Sequence, residues 1–177
     1  MKHLSIPGGH RPNQSGFSLI DVLVSLVVLS TGLLSMANLQ VSALRGNHGA
    51  YLASVAAQQA QDMAERMKAN PAGVAADEYD AIDSDIPTVQ VNCQNANCAP
   101  DQLAVFDRNR WNAANQALLP AGGGQVSDIG GGVFLIAVRW HDRQLEGATG
   151  WQVNTETATA CGAPQAGTRC FFLRYQA

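Results

Sequence analysis

SGFSLIDVLVSLVVLSTGLLSMANLQVSAL, residues 15–44, governs how the rest of the chain is read. From Val22 to Leu44 there are 23 consecutive residues without a charge, most of them apolar. As a helix rising about 1.5 Å per residue, such a run reaches across the roughly 30 Å hydrocarbon core of a bilayer. It is longer than the apolar region of a secretory signal peptide, about 7 to 15 residues. Lys2 and Arg11 precede it, and no acid occurs among the first 16 residues. The positive-inside tendency therefore keeps the N-terminus in the cytoplasm and sends the remainder outward. A plain single-span anchor would explain all of this except Asp21, which lies inside the apolar stretch Phe17, Leu19, Ile20, Val22. A lone carboxylate at membrane depth costs about 3 kcal/mol unless it is paired or near an interface, so Asp21 calls for a counter-ion.

The composition agrees with this division. The chain has 177 residues, enough for one domain of ordinary size. Apolar residues make up 46%, which disfavours disorder, and charged residues only 14%, against about 25% in an average soluble domain. The net charge of -3 and pI near 5.7 give no bulk electrostatic reason to bind nucleic acid or an anionic membrane surface.

The segment Ser15-Gly16-Phe17-Ser18-Leu19-Ile20-Asp21-Val22-Leu23-Val24 resembles the processing site of type IV prepilins and type II secretion pseudopilins. In that family a short basic leader ends in Gly, the next residue is usually Phe, and an acid stands at the fifth mature position. The resemblance implies that a prepilin peptidase cuts after Gly16, that the amine of Phe17 is methylated, and that Asp21 is the assembly carboxylate. The physical logic fits, because cleavage creates a cationic amine at Phe17. A carboxylate at i+4 would neutralise an amine on a neighbouring subunit when helices pack side by side. The family usually has Glu where this chain has Asp21, one methylene shorter. Major pilins commonly carry a kinking Pro midway through the helix, where this chain has Asn38, leaving Gly32 the weak point of the span.

Beyond the apolar run, Gly46-Asn47-His48-Gly49 is a possible kink or melting point, since each glycine costs about 1 kcal/mol relative to Ala in a helix. Leu52, Val55, Ala56, Ala60, Met63, Ala64 and Met67 then recur at three- and four-residue intervals, while Gln58, Gln61, Asp62, Glu65 and Lys68 cover other faces. Asn70-Pro71 and Gly73 stop the pattern. A helix over 17–69 follows, about 80 Å long if unbroken. The segment 63–71 resembles the end of the long helix in PilV-like minor pilins, and a similar location is occupied in minor pseudopilins.

Asp77, Glu78, Asp80, Asp83 and Asp85 lack the alternating ligands, central Gly and terminal Glu of an EF-hand loop and read as a solvated loop. Thr88–Val91 reads as a short strand. Leu103, Phe106, Arg110, Trp111, Ala114 and Leu118 predict a second helix over 101–118, with Asp101 as its cap and Pro120 as its stop. Strands are expected at Val133–Trp140, Trp151–Thr159 and Cys170–Tyr175, forming an antiparallel sheet on the amphipathic half of the long helix. Trp140, Trp151, Phe172 and Tyr175 read as core anchors. Gly122–Gly124 and Gly130–Gly132 lack the Lys-Ser/Thr and the strand-to-helix placement of a phosphate loop and read as flexible connections.

Four cysteines, Cys93, Cys98, Cys161 and Cys170, all lie beyond the apolar run. An even count in an exported domain favours disulfides over zinc, with three connectivities open; local pairing is the simplest. A 161–170 pair resembles the C-terminal disulfide-bounded loop of pilins, a surface that family members expose to partners. No H-E-x-x-H or G-x-S-x-G occurs, and His141-Asp142 are strand neighbours that point to opposite faces. The chain reads as a substrate of enzymes and not as one, with no cofactor and no metal.

The expected architecture is α+β: the pilin fold, with a long N-terminal helix, transmembrane in its first half, packed on an antiparallel head. Residues 1–16 are the cleaved leader, 17–44 the transmembrane and assembly half-helix, and 45–177 the periplasmic head. The resemblance implies a minor pilin that helps initiate type IV pilus assembly and supports twitching motility and adhesion. Its partners would be prepilin peptidase, other minor pilins, the major pilin and inner-membrane lipid. It would span the inner membrane once before entering the fibre, where the tip is one location open to it. Two alternatives are a type II secretion minor pseudopilin and a tip module, centred on 72–132, that binds a surface, a sugar or DNA. Residues 46–177 hold 8 basic and 13 acidic residues, so no direct nucleic-acid binding is expected.

Overall fold

The computed structural model describes residues 16, 18–145, 159–163 and 165–177. Leu19–Ala69 form one α-helix, α1, which contributes to two compact units, one ending at Leu44 and one running from Arg45 to Ala177. In the first unit every described residue is exposed, so the apolar half of α1 has no interior of its own chain to bury it. Helix runs through Gly32, Asn38 and Gly46–Gly49 without the break that the glycine pair suggested. Propagating an existing helix through two poor residues costs less than nucleating a new one on the far side.

In the second unit the expected stripe is present. Leu52, Val55, Ala56, Ala60, Met63 and Met67 are buried, and Ala64 is partly so. α1 ends at Ala69, and Asn70 caps the five-residue α2, Pro71–Ala75, by accepting a hydrogen bond from the Gly73 N–H at 3.2 Å. The second long helix, α3, spans Pro100–Leu118 and stops where Leu119, preceding Pro120, turns extended. Asp101 is not its cap. Ala99 holds that position, and the Gln102 side chain accepts from the Ala99 N–H at 3.1 Å.

Three strands form an antiparallel sheet in the order β1-β2-β3: β1 Gly123–Asp128, β2 Val133–His141 and β3 Thr168–Gln176. β2 and β3 lie where the hydropathy pattern put them. Along β2, Phe134, Ile136, Val138 and Trp140 face the α1 stripe, joined from β3 by Phe171, Leu173 and Tyr175. Each such burial stabilises by about 1.5–3 kcal/mol. The opposite face carries Leu135 and Ala137 against Ala160, Cys161, Cys170 and Phe172. Phe172 thus anchors this second cluster and not the core under α1. Thr88–Val91 is not a strand; the Asn109 side chain takes the neighbouring Pro87 carbonyl at 2.7 Å, and Pro87 has no N–H to offer a ladder. Residues 151–158, including Trp151, lie outside the described residues, and Thr159 opens a helical turn over 159–161, which corrects the end of that expected strand.

β1 replaces what was read as a flexible connection at Gly122–Gly124. These glycines are there for close approach. A Cβ on Gly124 would stand 2.2 Å from Trp111 Cζ3, and one on Gly122 would stand 2.1 Å from the Asn115 carbonyl oxygen. Trp111 is fully buried and donates its indole N–H to the Gln59 carbonyl of α1 at 2.7 Å. Gly130–Gly132 do connect β1 to β2, all three at positive φ.

The inward face of α3 also differs from expectation. Arg110 and Leu118 are exposed, and the buried residues are Ala104, Asp107, Trp111, Asn112 and Asn115. Two of the polar ones tie distant segments together, Asn112 through backbone groups and Asp107 through side chains. Asn112 donates to the Asp83 and Asp85 carbonyls at 2.7 and 3.1 Å and accepts from the Gly124 N–H at 2.9 Å. Asp107 accepts from Tyr79 Oη at 2.7 Å and from Arg66 Nη1 at 3.1 Å, tying the end of α1 to α3. Burial together with Asp107 pushes the Tyr79 hydroxyl pKa up. The acid-rich loop keeps its carboxylates in solvent, but Tyr79 and Ile82 are buried and Ile82 bridges to Val126 of β1.

At the far end of β2, Asp142 is buried and accepts from Arg169 Nε at 2.6 Å and from the Gln144 N–H at 2.9 Å. Burial opposes the charge, but these two donors outweigh it and hold the carboxyl below the usual carboxylate range. The folded value is thus below the unfolded one, so this contribution is complete above the unfolded pKa and is lost as pH falls through the folded one.

Two substitutions test these contacts in the full chain held in detergent micelles. Gly124→Ala should cost about 2–3 kcal/mol in urea unfolding through overpacking against Trp111. Gly46→Ala, where a Cβ meets nothing within 4 Å, should be neutral or raise stability by up to about 1 kcal/mol. Equal effects at the two positions would refute the packing assignment. Asp142→Ala should cost about 2 kcal/mol at pH 7. That gap should narrow below about pH 4, and a pH-independent gap would show that the carboxylate charge is not what stabilises.

Candidate functional site: the apolar half-helix and the disulfide loops

The residues expected to carry processing and assembly lie at the start of α1. Gly16 is exposed, Phe17 lies outside the described residues, and the helix opens at Leu19 with the Asp21 N–H bonded to the Ser18 carbonyl at 3.0 Å. Asp21 is exposed in the first turn, where the helix dipole favours a negative charge. No ion pair reaches its carboxylate among the described residues.

Four hydroxyls within the apolar half are satisfied by the helix itself. Ser25 Oγ donates to the Asp21 carbonyl at 2.6 Å and Ser30 Oγ to the Leu26 carbonyl at 2.6 Å. Thr31 Oγ1 donates to the Val28 carbonyl at 2.9 Å, and Ser35 Oγ to the Thr31 carbonyl at 3.0 Å. Such back-bonding lets small polar residues sit in hydrocarbon without outside partners. The span has a mean hydropathy of 2.2 over its best 18 residues, none of them buried, which distinguishes it from the core helix of a soluble domain. Asp21, Ser25 and Leu29 fall on one face at four-residue spacing, so the carboxylate sits at the head of an apolar stripe that a neighbouring helix can cover.

In the head, Cys93 pairs with Cys98 and Cys161 with Cys170, at Cα separations of 5.6 and 6.0 Å. The connectivity is the local one. Cys161 is buried against Leu135 and Ala137, so the second bridge ties its loop to the sheet face away from α1. The loop approaches the sheet closely: a Cβ on Gly167 would fall 2.7 Å from the His141 ring, and Gly167 has φ +72°. Hydropathy did not single out Asn112, Asp107 or the Asp142–Arg169 pair, because the partners of each are distant in sequence.

Residues 38–109, from the middle of α1 through α2 and into α3, match the Tt1218-like family, described as Type IV pilin Tt1218. No curated protein and no solved structure matches. The match supports a type IV pilin with a structural role in a pilus, and the long apolar N-terminal helix is consistent with a membrane-anchored one.

Proposed function

We propose that the chain is a minor pilin, made as a precursor, that helps prime assembly of a type IV pilus and supports motility and adhesion by the finished fibre. The observation that carries this reading is the pairing of a wholly exposed apolar half-helix with a single carboxylate, Asp21, five residues after Gly16. An apolar stripe gains by covering itself with lipid or with like helices, and only the second environment supplies a cation for Asp21. In this reading prepilin peptidase removes residues 1–16 and Phe17 becomes the methylated N-terminus. Asp21 then faces the Phe17 amine of an adjacent pilin, minor or major. Residues 17–44 pass from the inner membrane into the filament core, and 45–177 form the periplasmic head. The head's two disulfides, Cys93–Cys98 and Cys161–Cys170, suit an oxidising compartment. Loss of Lys2 and Arg11 with the leader leaves nine basic against fourteen acidic side chains, so the mature subunit is distinctly acidic.

Gly16→Glu should leave an uncut precursor, read as intact mass from membranes of cells that carry the peptidase; normal cleavage would overturn the assignment. Asp21→Ala should permit cleavage and reduce incorporation into sheared filaments by at least about tenfold, equivalent to about 1.4 kcal/mol of subunit docking. Unchanged incorporation would remove the counter-ion role.

A further inference from the structure

Strand alternation puts Arg139 and His141 on the sheet face of Leu135 and Ala137, beyond the point where the apolar cluster ends. Together with Ser84, Asp85, Gln116 and Gln165 they line a cavity of about 570 Å³. That size falls in the range of about 300–1,000 Å³ typical of small-molecule sites. Its walls come from five separate places: the acid-rich loop, α3, the turn that leads into β1, the end of β2 and the loop closed by Cys161–Cys170.

Arg139 is half-buried, and its guanidinium makes no hydrogen bond or ion pair among the described residues. Its Nη1 lies 3.9 Å from where a Cβ would stand on Gly162, so the cation sits against the disulfide loop. Trp140, 2% exposed, lines the same cavity and carries an indole N–H with no hydrogen-bond partner. An unpaired guanidinium presents a rigid fork that matches a carboxylate. Asp85, which also lines the cavity, argues against a simple anion trap, because a carboxylate accepts hydrogen bonds only and repels phosphate or a polyanion. The amides of Gln116 and Gln165 and the hydroxyl of Ser84 both donate and accept. The combination suits a ligand with one carboxylate and several hydroxyls.

We infer that this cavity binds an acidic sugar of the uronic acid class, with its carboxylate on Arg139 and its ring hydroxyls shared among Asp85, Gln116 and Gln165. The inference stands on the head alone and does not depend on leader cleavage or filament assembly.

The test is calorimetric titration of the full chain, in a zwitterionic detergent free of sugar, with digalacturonate and with the neutral digalactose. Digalacturonate should bind, with the neutral sugar at least about tenfold weaker, and Arg139→Gln should lose at least about tenfold of the digalacturonate affinity. Asp85→Asn should weaken both sugars. If Arg139→Gln fails to fold by circular dichroism, Arg139→Lys, which keeps the charge but loses the fork, should still weaken digalacturonate. No binding up to about 20 mM digalacturonate, which corresponds to less than about 2.3 kcal/mol, would overturn the inference. So would equal affinity for the neutral sugar, or unchanged affinity in either Arg139 variant. Tighter binding in Asp85→Asn, or displacement by inorganic phosphate or an aspartate tripeptide, would show a plain anion site and likewise overturn it.

Discussion

Trp111 is the contact on which the head depends. Its ring comes close enough to β1 that Gly124 can carry no side chain, and its indole N–H reaches across to the Gln59 carbonyl in the middle of the α1 stripe. A single buried residue therefore sets the distance between helix α3, the sheet edge and the long helix. Asn112, one residue on, holds the neighbouring backbone: it takes the Gly124 N–H and the carbonyls of Asp83 and Asp85. Without those bonds the edge of β1 and the acid-rich loop would leave buried backbone groups unpaired, at about 1–3 kcal/mol each. The acidic loop is ordered from within by Asn112, Tyr79 and Ile82, while its carboxylates stay in water.

α1 must satisfy two solvents with one continuous helix. From Leu52 to Met67 it is one-sided, and small residues at Ala56 and Ala60 let the rest of the head come close. Before Leu44 it is uncharged beyond Asp21 and mostly apolar, and Ser25, Ser30, Thr31 and Ser35 are turned back onto their own helix. That leaves Asp21 as the one acidic side chain of the span, with no ion-pair partner among the described residues. In the proposed filament one neighbour meets both needs, since it offers an apolar face and a cation together.

What was legible in the sequence is what is locally encoded. The stripe Leu52–Met67 and the apolar strands β2 and β3 each carry their own periodicity, and the stop at Asn70-Pro71 is a local signal. The short loops between cysteines made local pairing the simplest of three choices. β1 was not legible, because Gly123 and Gly124 are selected by a tryptophan at position 111 and have no strand propensity of their own. The inward face of α3 was misassigned for a related reason. Asp107 and Asn112 are buried to serve partners 28 to 41 and 12 to 29 residues away, and a hydropathy pattern scores them as surface. Arg139 reads as a blemish in an apolar strand because the cavity it lines is assembled from five segments distant in sequence.

The residues that match the pilin family, 38–109, are those that join α1 to α3 through the Arg66–Asp107–Tyr79 network. Packing of this kind tolerates little change, since removing one partner leaves a buried charge or hydroxyl unpaired. The outer sheet face is built differently. Arg139, His141 and Gln165 stand on the second apolar cluster and the Cys161–Cys170 bridge, and none of them supports the core under α1. Exchanging them would leave in place the contacts that pack the head against α1. The fold thus keeps the packing under α1 on one face of the sheet and sets Arg139 and His141 of the cavity on the other.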